Sequence, residues 1–137
     1  MYLIDTSVWL DFFRNRRNSA VLQFEHLLDQ GLPFGITALI YQEVLQGAAR
    51  EEDFSRLTAY LGTQRFYHPL DAVDSYRKAA NLYFVCRRQG VTIRSTADCL
   101  IAQVAIEHRL MLLHNDRDYV RLATVVSALK LASSPDA

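Results

Sequence analysis

The stretch Met1-Tyr2-Leu3-Ile4-Asp5-Thr6-Ser7-Val8-Trp9-Leu10-Asp11-Phe12-Phe13 decides the fold. Tyr2, Leu3 and Ile4 form an unbroken apolar run, the mark of a buried strand, and the run stops at Asp5. Val8, Trp9, Phe12 and Phe13 then recur at i, i+1, i+4 and i+5, which is helical spacing. Asp5 therefore stands at the carboxyl end of a buried strand, at a strand-to-helix turn. In open parallel sheets that edge is where ligands bind.

The same alternation continues outward from this stretch. After the basic turn Arg14–Asn18, Ser19 is placed to cap a second helix with Val21, Phe24, Leu27 and Leu28 inward, stopped by Gly31-Leu-Pro33. Phe34–Ala38 reads as a second strand. A third helix runs from about Leu39 to Ala49 with Ile40, Val44 and Leu45 inward, and Glu43 in or near its first turn. Glu51, Glu52 and Asp53 favour the start of a fourth helix, since carboxylates complement its dipole; Phe54, Leu57 and Leu61 are its stripe and Gly62 its stop. Arg65–His68 reads as a third short strand closed by Pro69. A long helix over 72–89 is expected to turn Val73, Tyr76, Ala80, Tyr83 and Phe84 inward and to end at Gly90.

The next helix has the clearest periodicity, with Ala97, Leu100, Ile101, Val104, Ala105 and His108 on one face. Thr96 is placed to cap it, which puts Asp98 in its first turn. Leu110–Leu113 is a fourth strand, ending at His114-Asn-Asp-Arg-Asp118 before a short helix with Tyr119, Val120, Leu122 and Ala123. Residues 125–131 can supply a fifth strand, and the last residues are expected to fray. The fold class is α/β: a single α/β/α sandwich over residues 1–137, with a parallel sheet of about five strands and helices on both faces.

Composition excludes several function classes. The chain has 137 residues, half of them hydrophobic and 22 % charged, which suits one ordinary globular domain. Charges interrupt every apolar run well short of the ~18 residues that a membrane span needs. No basic-then-apolar leader precedes the first strand, so a cytoplasmic location is expected. Cys86 and Cys99 have neither disulfide-framework nor zinc-site spacing and read as reduced thiols in or near the core. The formal net charge is zero, against binding long nucleic acid by charge alone. Thirteen arginines against two lysines nevertheless suit bidentate contact with phosphate or carboxylate.

Strand and helix directions then place the acids. Asp5 ends strand one, Glu43 opens the helix after strand two, and Asp116 follows strand four. All three belong to one edge of the sheet if the crossovers are right-handed. The helix that Asp98 opens must run antiparallel to strand four, so its start points to that edge too. Four ionised carboxylates there repel, at ~5 Å and an effective dielectric of ~20 by on the order of 3 kcal/mol per pair. Such a cluster must protonate or hold cations, and hard oxygen ligands suit Mg²⁺ or Mn²⁺, not zinc. Ions of this kind generate a nucleophile from water and stabilise charge in phosphoryl chemistry. No glycine-rich nucleotide motif is present.

Taken together, Leu3-Ile-Asp-Thr-Ser-Val-Trp-Leu10, Glu43 in Tyr-Gln-Glu-Val-Leu, Thr96-Ala-Asp-Cys-Leu-Ile-Ala102 and Leu113-His-Asn-Asp-Arg-Asp-Tyr119 resemble the PIN-domain proteins, specifically the VapC-type toxins of type II toxin–antitoxin pairs. The stretches span almost the whole chain in family order. The resemblance carries the family's acidic quartet onto Asp5, Glu43, Asp98 and Asp116, and its small hydroxyl residue onto Thr6. It implies a Mg²⁺-dependent endoribonuclease acting on RNA, a homodimer, and a cognate antitoxin that neutralises it.

Each acid also has a plain structural reading. Asp5, Thr6 or Ser7 could simply cap the first helix and Asp116 or Asp118 a later one, Glu43 could be an ordinary first-turn residue, and Asp98 a dipole partner. Their shared edge is what favours a site, because independent caps have no reason to converge. Asp118 fits a cap or a support behind the ligands. Arg94 and Arg117 are the arginines nearest the pocket and suit phosphate contact, while Arg14, Arg16 and Arg17 read equally well as a solvated turn. Asp11 and Glu107 read as solvated, His108 as packed, and His114 as structural. A second function class is a binding module that pairs with an antitoxin for promoter autoregulation, with little or no catalysis. A phosphatase of the D-x-D kind is set aside because Ser7 holds the second position. A phospho-acceptor receiver is set aside because Asp5 has no neighbouring acid.

Overall fold

The structure is a computed structural model and describes residues 1–132. The expected fraying of the last residues falls on 133–137, outside the described residues. Four parallel strands, β1 (Tyr2–Ile4), β2 (Phe34–Gly35), β3 (Met111–Leu113) and β4 (Lys130–Leu131), lie in the order β2-β1-β3-β4. Among the described residues seven helices connect them: α1 (Thr6–Phe13), α2 (Ser19–Gln30), α3 (Ala38–Gln46), α4 (Glu51–Leu61), α5 (Asp74–Arg88), α6 (Thr96–Glu107) and α7 (Arg117–Val125). This is the expected α/β fold. None of the described helices is long and apolar enough to cross a membrane.

The strand order creates a crevice. From β1 the chain crosses to β2 on one side, and from β3 it crosses to β4 on the other. Right-handed crossovers in opposite directions send the following helices to opposite faces, so the carboxyl ends of β1 and β3 flank a topological switch point. Asp5 and Asp116 follow those two strands.

The first stretch anchors the core. Trp9 is fully buried, donates its indole N–H to the Ile4 carbonyl at 3.1 Å, and meets Phe24 edge-on at 4.8 Å between centroids. One ring thus binds α1 to β1 and α2 to α1, with its polar atom satisfied. Gly31 ends α2 at a left-handed φ of 62°, a conformation that glycine adopts without penalty. Cys86 and Cys99 are free and buried, as read from their spacing.

Several local expectations change. Residues 65–68 form no strand. A single parallel bridge joins Ile36 to Phe66, held by Ile36 N–H on the Arg65 carbonyl and Tyr67 N–H on the Ile36 carbonyl. The pairing ends there because Pro69 has no N–H to extend it. It starts at Gly35, where a Cβ would lie 2.5 Å from the Arg65 carbonyl. The last strand is only Lys130–Leu131, because α7 continues through Val125 and a turn follows. Asn18, not Ser19, caps α2, accepting from Val21 N–H. Thr96 is the exposed first residue of α6, and Ser95 holds the cap position without a side-chain hydrogen bond.

The buried face of α5 is also different. Ser75, Ala79, Leu82 and Cys86 face inward, while Val73, Tyr76 and Phe84 are 78 %, 52 % and 54 % exposed. Spacings of 4, 3 and 4 make a valid helical stripe of mostly small residues. They let α5 lie close on α6, which is buried around most of its circumference. Aromatic size pointed to the wrong face.

Candidate functional site

Asp5 is 4 % exposed and both of its oxygens are engaged. Oδ2 accepts from the Ser7 N–H at 3.0 Å and the Ser7 hydroxyl at 2.6 Å, so Asp5 does cap α1. Oδ1 accepts from the Tyr119 hydroxyl at 2.7 Å. The plain capping reading is therefore true of one oxygen and does not exhaust the residue.

Tyr119 joins two acids. Its ring is fully buried and its hydroxyl oxygen also lies 3.3 Å from Asp98 Oδ1. A phenol has one proton, and the shorter contact takes it. Burial, then the charges of Asp5 and Asp98, push the Tyr119 hydroxyl well above its usual range, so it stays a donor. Asp98 is pushed up from 3.8 to about 7, first by burial and then by the charges of Asp5 and Asp116. Near neutrality Asp98 is thus partly protonated, and its proton can complete a chain Asp98–Tyr119–Asp5.

Asp116 caps α7 by accepting from the Asp118 N–H at 2.9 Å. Asp118 does not cap the helix. It is 1 % exposed, and its Oδ2 accepts from the Arg94 backbone N–H at 3.0 Å and the Arg94 Nε–H at 3.2 Å. Asp98, Asp116 and Asp118 each offer an oxygen, and these oxygens lie within 4.8 Å of one another. Asp118 therefore belongs to the cluster itself.

Glu43 sits in the second turn of α3, not the first, because the helix begins at Ala38 behind the Thr37 cap. The extra turn is spanned by Thr6, whose hydroxyl donates to Glu43 Oε1 at 2.7 Å. Thr6 is adjacent to Asp5, so Glu43 is held beside the first acid. All four predicted acids stand at the one edge.

Asp11 and Glu107 are not merely solvated. Asp11 accepts from the amides of Asn18 and Asn115, both at 3.0 Å, and the Asn115 backbone N–H donates to the Ser7 hydroxyl at 2.9 Å. These bonds hold the 114–116 turn, and with it Asp116, against the start of α1. Glu107 accepts from Leu70 N–H, Ser75 Oγ and Gln103 Nε2, tying the start of α5 to the end of α6. His108 meets the His68 carbonyl at 2.6 Å. His114 Nδ1 accepts from the Asp116 N–H at 3.1 Å, and burial holds its pKa below the usual value, so it is a neutral orienting group. Arg117 and Thr96 are exposed at the starts of α7 and α6.

The donor set fits a hard divalent cation. All the clustered atoms are carboxylate oxygens, and one of them, the buried Asp118 Oδ1, has no hydrogen-bond partner among the described residues and only a looser ion pair with Arg121 Nη1 at 3.6 Å. That oxygen without a hydrogen bond, and the Asp98 carboxyl pushed up first by burial and then by the charges of Asp5 and Asp116, are both groups that a bound cation would stabilise. Zinc would call for histidine or cysteine ligands, and His114 spends its Nδ1 on the Asp116 N–H.

A family model for the PIN domain matches residues 2–125. The chain is a PIN-domain protein. VapC ribonuclease Mb1587 of Mycobacterium bovis and Ribonuclease VapC11 of Mycobacterium tuberculosis are each 34 % identical to it over 128 residues. The match covers 93 % of this chain and 95 % of each relative, which places it among the VapC-type PIN domains. Solved structures share the fold. VapBC2 of Rickettsia felis, bound to a DNA fragment from its promoter, aligns with a TM-score of 0.72 at 18 % identity, covering 96 % of both chains. A toxin–antitoxin complex from Klebsiella pneumoniae aligns at 0.67 and 22 %, covering 96 % of this chain and 100 % of the other.

Sequence reasoning missed four supports of this PIN-domain edge: Tyr119, Ser7, Asn115 and Asp11. The available signal was Tyr119. A tyrosine in the apolar stripe of a short helix, one residue after Asp118 and three after Asp116, needs a polar partner when buried.

Proposed function

We propose that this protein is a metal-dependent endoribonuclease toxin that hydrolyses RNA phosphodiester bonds and is neutralised by a cognate antitoxin. The observation that carries the reading is the convergence of Asp5, Asp98, Asp116 and Asp118, with Glu43 beside them, at the crevice between β1 and β3. The ribonuclease relatives, matched over nearly their whole length, supply the reaction class.

Asp98 and Asp116 are the proposed principal ligands of Mg²⁺ or Mn²⁺, with Asp5, Glu43 and Asp118 completing the acidic shell. The ion when bound supplies Lewis-acid stabilisation of the phosphoryl charge and a lowered pKa for water. The chain's own residues do the rest. Ser7 and Tyr119 fix the Asp5 carboxylate in one orientation, and Thr6 does the same for Glu43. This preorganisation removes reorientation from the reaction step. Arg94 and Arg117, exposed beside the acids, offer guanidinium N–H groups to substrate phosphates. Single-stranded or looped RNA is the expected form, because duplex RNA hides its base edges.

The partner proposals are an antitoxin and a second copy of the chain, acting in the cytoplasm. Solved neighbours described as toxin–antitoxin complexes support the first. An apolar groove between α1, α3 and α4, lined by Leu10, Phe12, Phe13, Val44, Leu57 and Tyr60, is one surface such a partner would cover. The test is incubation of antitoxin-free protein with total RNA in Mg²⁺ or Mn²⁺, with and without chelator, beside Asp98→Asn. Cleavage that needs both cation and Asp98 supports the reading. A folded protein that binds the cation yet leaves every RNA intact would move the function to the antitoxin-binding module.

A further inference from the structure

Arg94 is fixed at one end and loose at the other. Its backbone N–H and its Nε–H both donate to Asp118 Oδ2, and that carboxylate is 1 % exposed. The base of the side chain is therefore anchored to a buried group. The far edge is not. Nη2 stands 3.6 Å from Asp116 Oδ1, beyond hydrogen-bond distance, and the side chain as a whole is 71 % exposed. Of the five N–H donors of the guanidinium, only Nε–H reaches a protein acceptor among the described residues.

The position matters because of what shares it. Asp116 and Asp118 are two of the three carboxylates whose oxygens converge within 4.8 Å. Arg94 thus leans a unit positive charge on two of the carboxylates that a divalent cation would share, while Arg121 Nη1 stands 3.6 Å from the other Asp118 oxygen and reaches neither Asp116 nor Asp98 among the described ion pairs. We propose that Arg94 is a tethered counter-ion: it neutralises Asp116 and Asp118 while the cation is absent. When the cation binds, the free edge of Arg94 is displaced to grip an RNA phosphate. This rests on the cation reading given above. The tether makes the exchange local. The Nε anchor keeps the guanidinium at the site, and its freed planar fork matches phosphate oxygens bidentately. Repulsion between a guanidinium and a divalent ion ~6 Å apart in a solvent-exposed setting is worth roughly a five- to tenfold change in cation affinity.

Two opposite effects in one variant test the proposal. Mn²⁺ binding is followed by electron paramagnetic resonance on wild type, Arg94→Gln, Arg94→Lys and Asp98→Asn, and RNA cleavage kinetics are taken on the first three. All keep the Arg94 backbone N–H bond to Asp118, so the turn before α6 stays in place. Arg94→Gln should bind Mn²⁺ roughly five- to tenfold more tightly yet show a KM for RNA raised about tenfold or more. Arg94→Lys should return Mn²⁺ affinity towards wild type but recover KM only in part, since an ammonium has no fork. Mn²⁺ affinity that is unchanged or weaker in Arg94→Gln overturns the counter-ion, and an unchanged KM overturns the phosphate grip. In both cases the cation reading stands if wild type binds Mn²⁺ and Asp98→Asn does not. Wild type that binds no Mn²⁺ sinks the proposal and the cation reading together.

Discussion

Replacing Asp98 with Asn should make the cation-free protein more stable and inactive. The folded protein holds the Asp98 carboxyl at about 7 against an ordinary 3.8, through burial and the charges of Asp5 and Asp116. At ~1.4 kcal/mol per pH unit the full cost of ionising it in the fold is on the order of 4 kcal/mol, or ~2–4 kcal/mol after allowing for its partial exposure. The sign follows from proton linkage. Between pH 4 and 7 the folded state keeps a proton that the unfolded state has lost, so wild-type stability falls as pH rises across that window. Asparagine is neutral at every pH and lacks this slope. For a chain of this size ~3 kcal/mol corresponds to roughly 10 °C in Tm. Thermal melts of both proteins in chelator should coincide near pH 4, and the variant should gain roughly 10 °C by pH 8. Adding Mg²⁺ at pH 8 should raise wild type and leave the variant unmoved. A variant that melts below wild type at pH 8 in chelator, or a gap that does not change with pH, would refute this electrostatic account of the acid edge.

Tyr119→Phe removes the buried hydroxyl that donates to Asp5. A charge-assisted bond of this kind should cost ~1.5–3 kcal/mol in chemical denaturation, and the loss should shrink when Mn²⁺ is present to neutralise Asp5. Thr6→Val frees Glu43. Its Tm should stay within a few degrees of wild type while kcat falls about tenfold, because an acid is left unoriented but no core atom is lost. Cation binding should itself depend on pH. As a proposed ligand Asp98 would bind the ion only when ionised, so Mn²⁺ affinity measured by calorimetry should climb up to ~tenfold per unit below pH 7 and level off above it, following the carboxyl at about 7.

The parts of this site that were legible in the sequence are those set by chain direction. An apolar triplet stopped by Asp5 and followed by a helical repeat fixes strand, turn and helix, and hence which end of the sheet the acid occupies. Asp116 after β3 follows by the same logic, and Asp98 by the antiparallel run of α6. What depended on side-chain reach was not legible. Glu43 lies in the second turn of α3, whose start at Ala38 is one residue earlier than read, and only the Thr6 hydroxyl shows what holds it beside Asp5. Asp118 reads as a cap because it opens a helix, yet it faces the turn carrying Arg94, twenty-four residues away. Periodicity also fails on α5, where two stripes both satisfy helical spacing. Burial chose Ser75, Ala79, Leu82 and Cys86, because small residues permit close helix contact and the aromatic stripe does not.

The most direct measurement of the central claim is the end chemistry of RNA fragments made by purified, antitoxin-free protein. Hydrolysis by water with the 3′-oxygen as leaving group gives a 5′-phosphate and a 3′-hydroxyl, whereas attack by the neighbouring 2′-hydroxyl expels the 5′-oxygen and gives a 2′,3′-cyclic phosphate and a 5′-hydroxyl. The account predicts discrete fragments with 5′-phosphate and 3′-hydroxyl ends that vanish with chelator and with Asp98→Asn. Fragments with cyclic phosphate ends, or cleavage that survives either treatment, would contradict it.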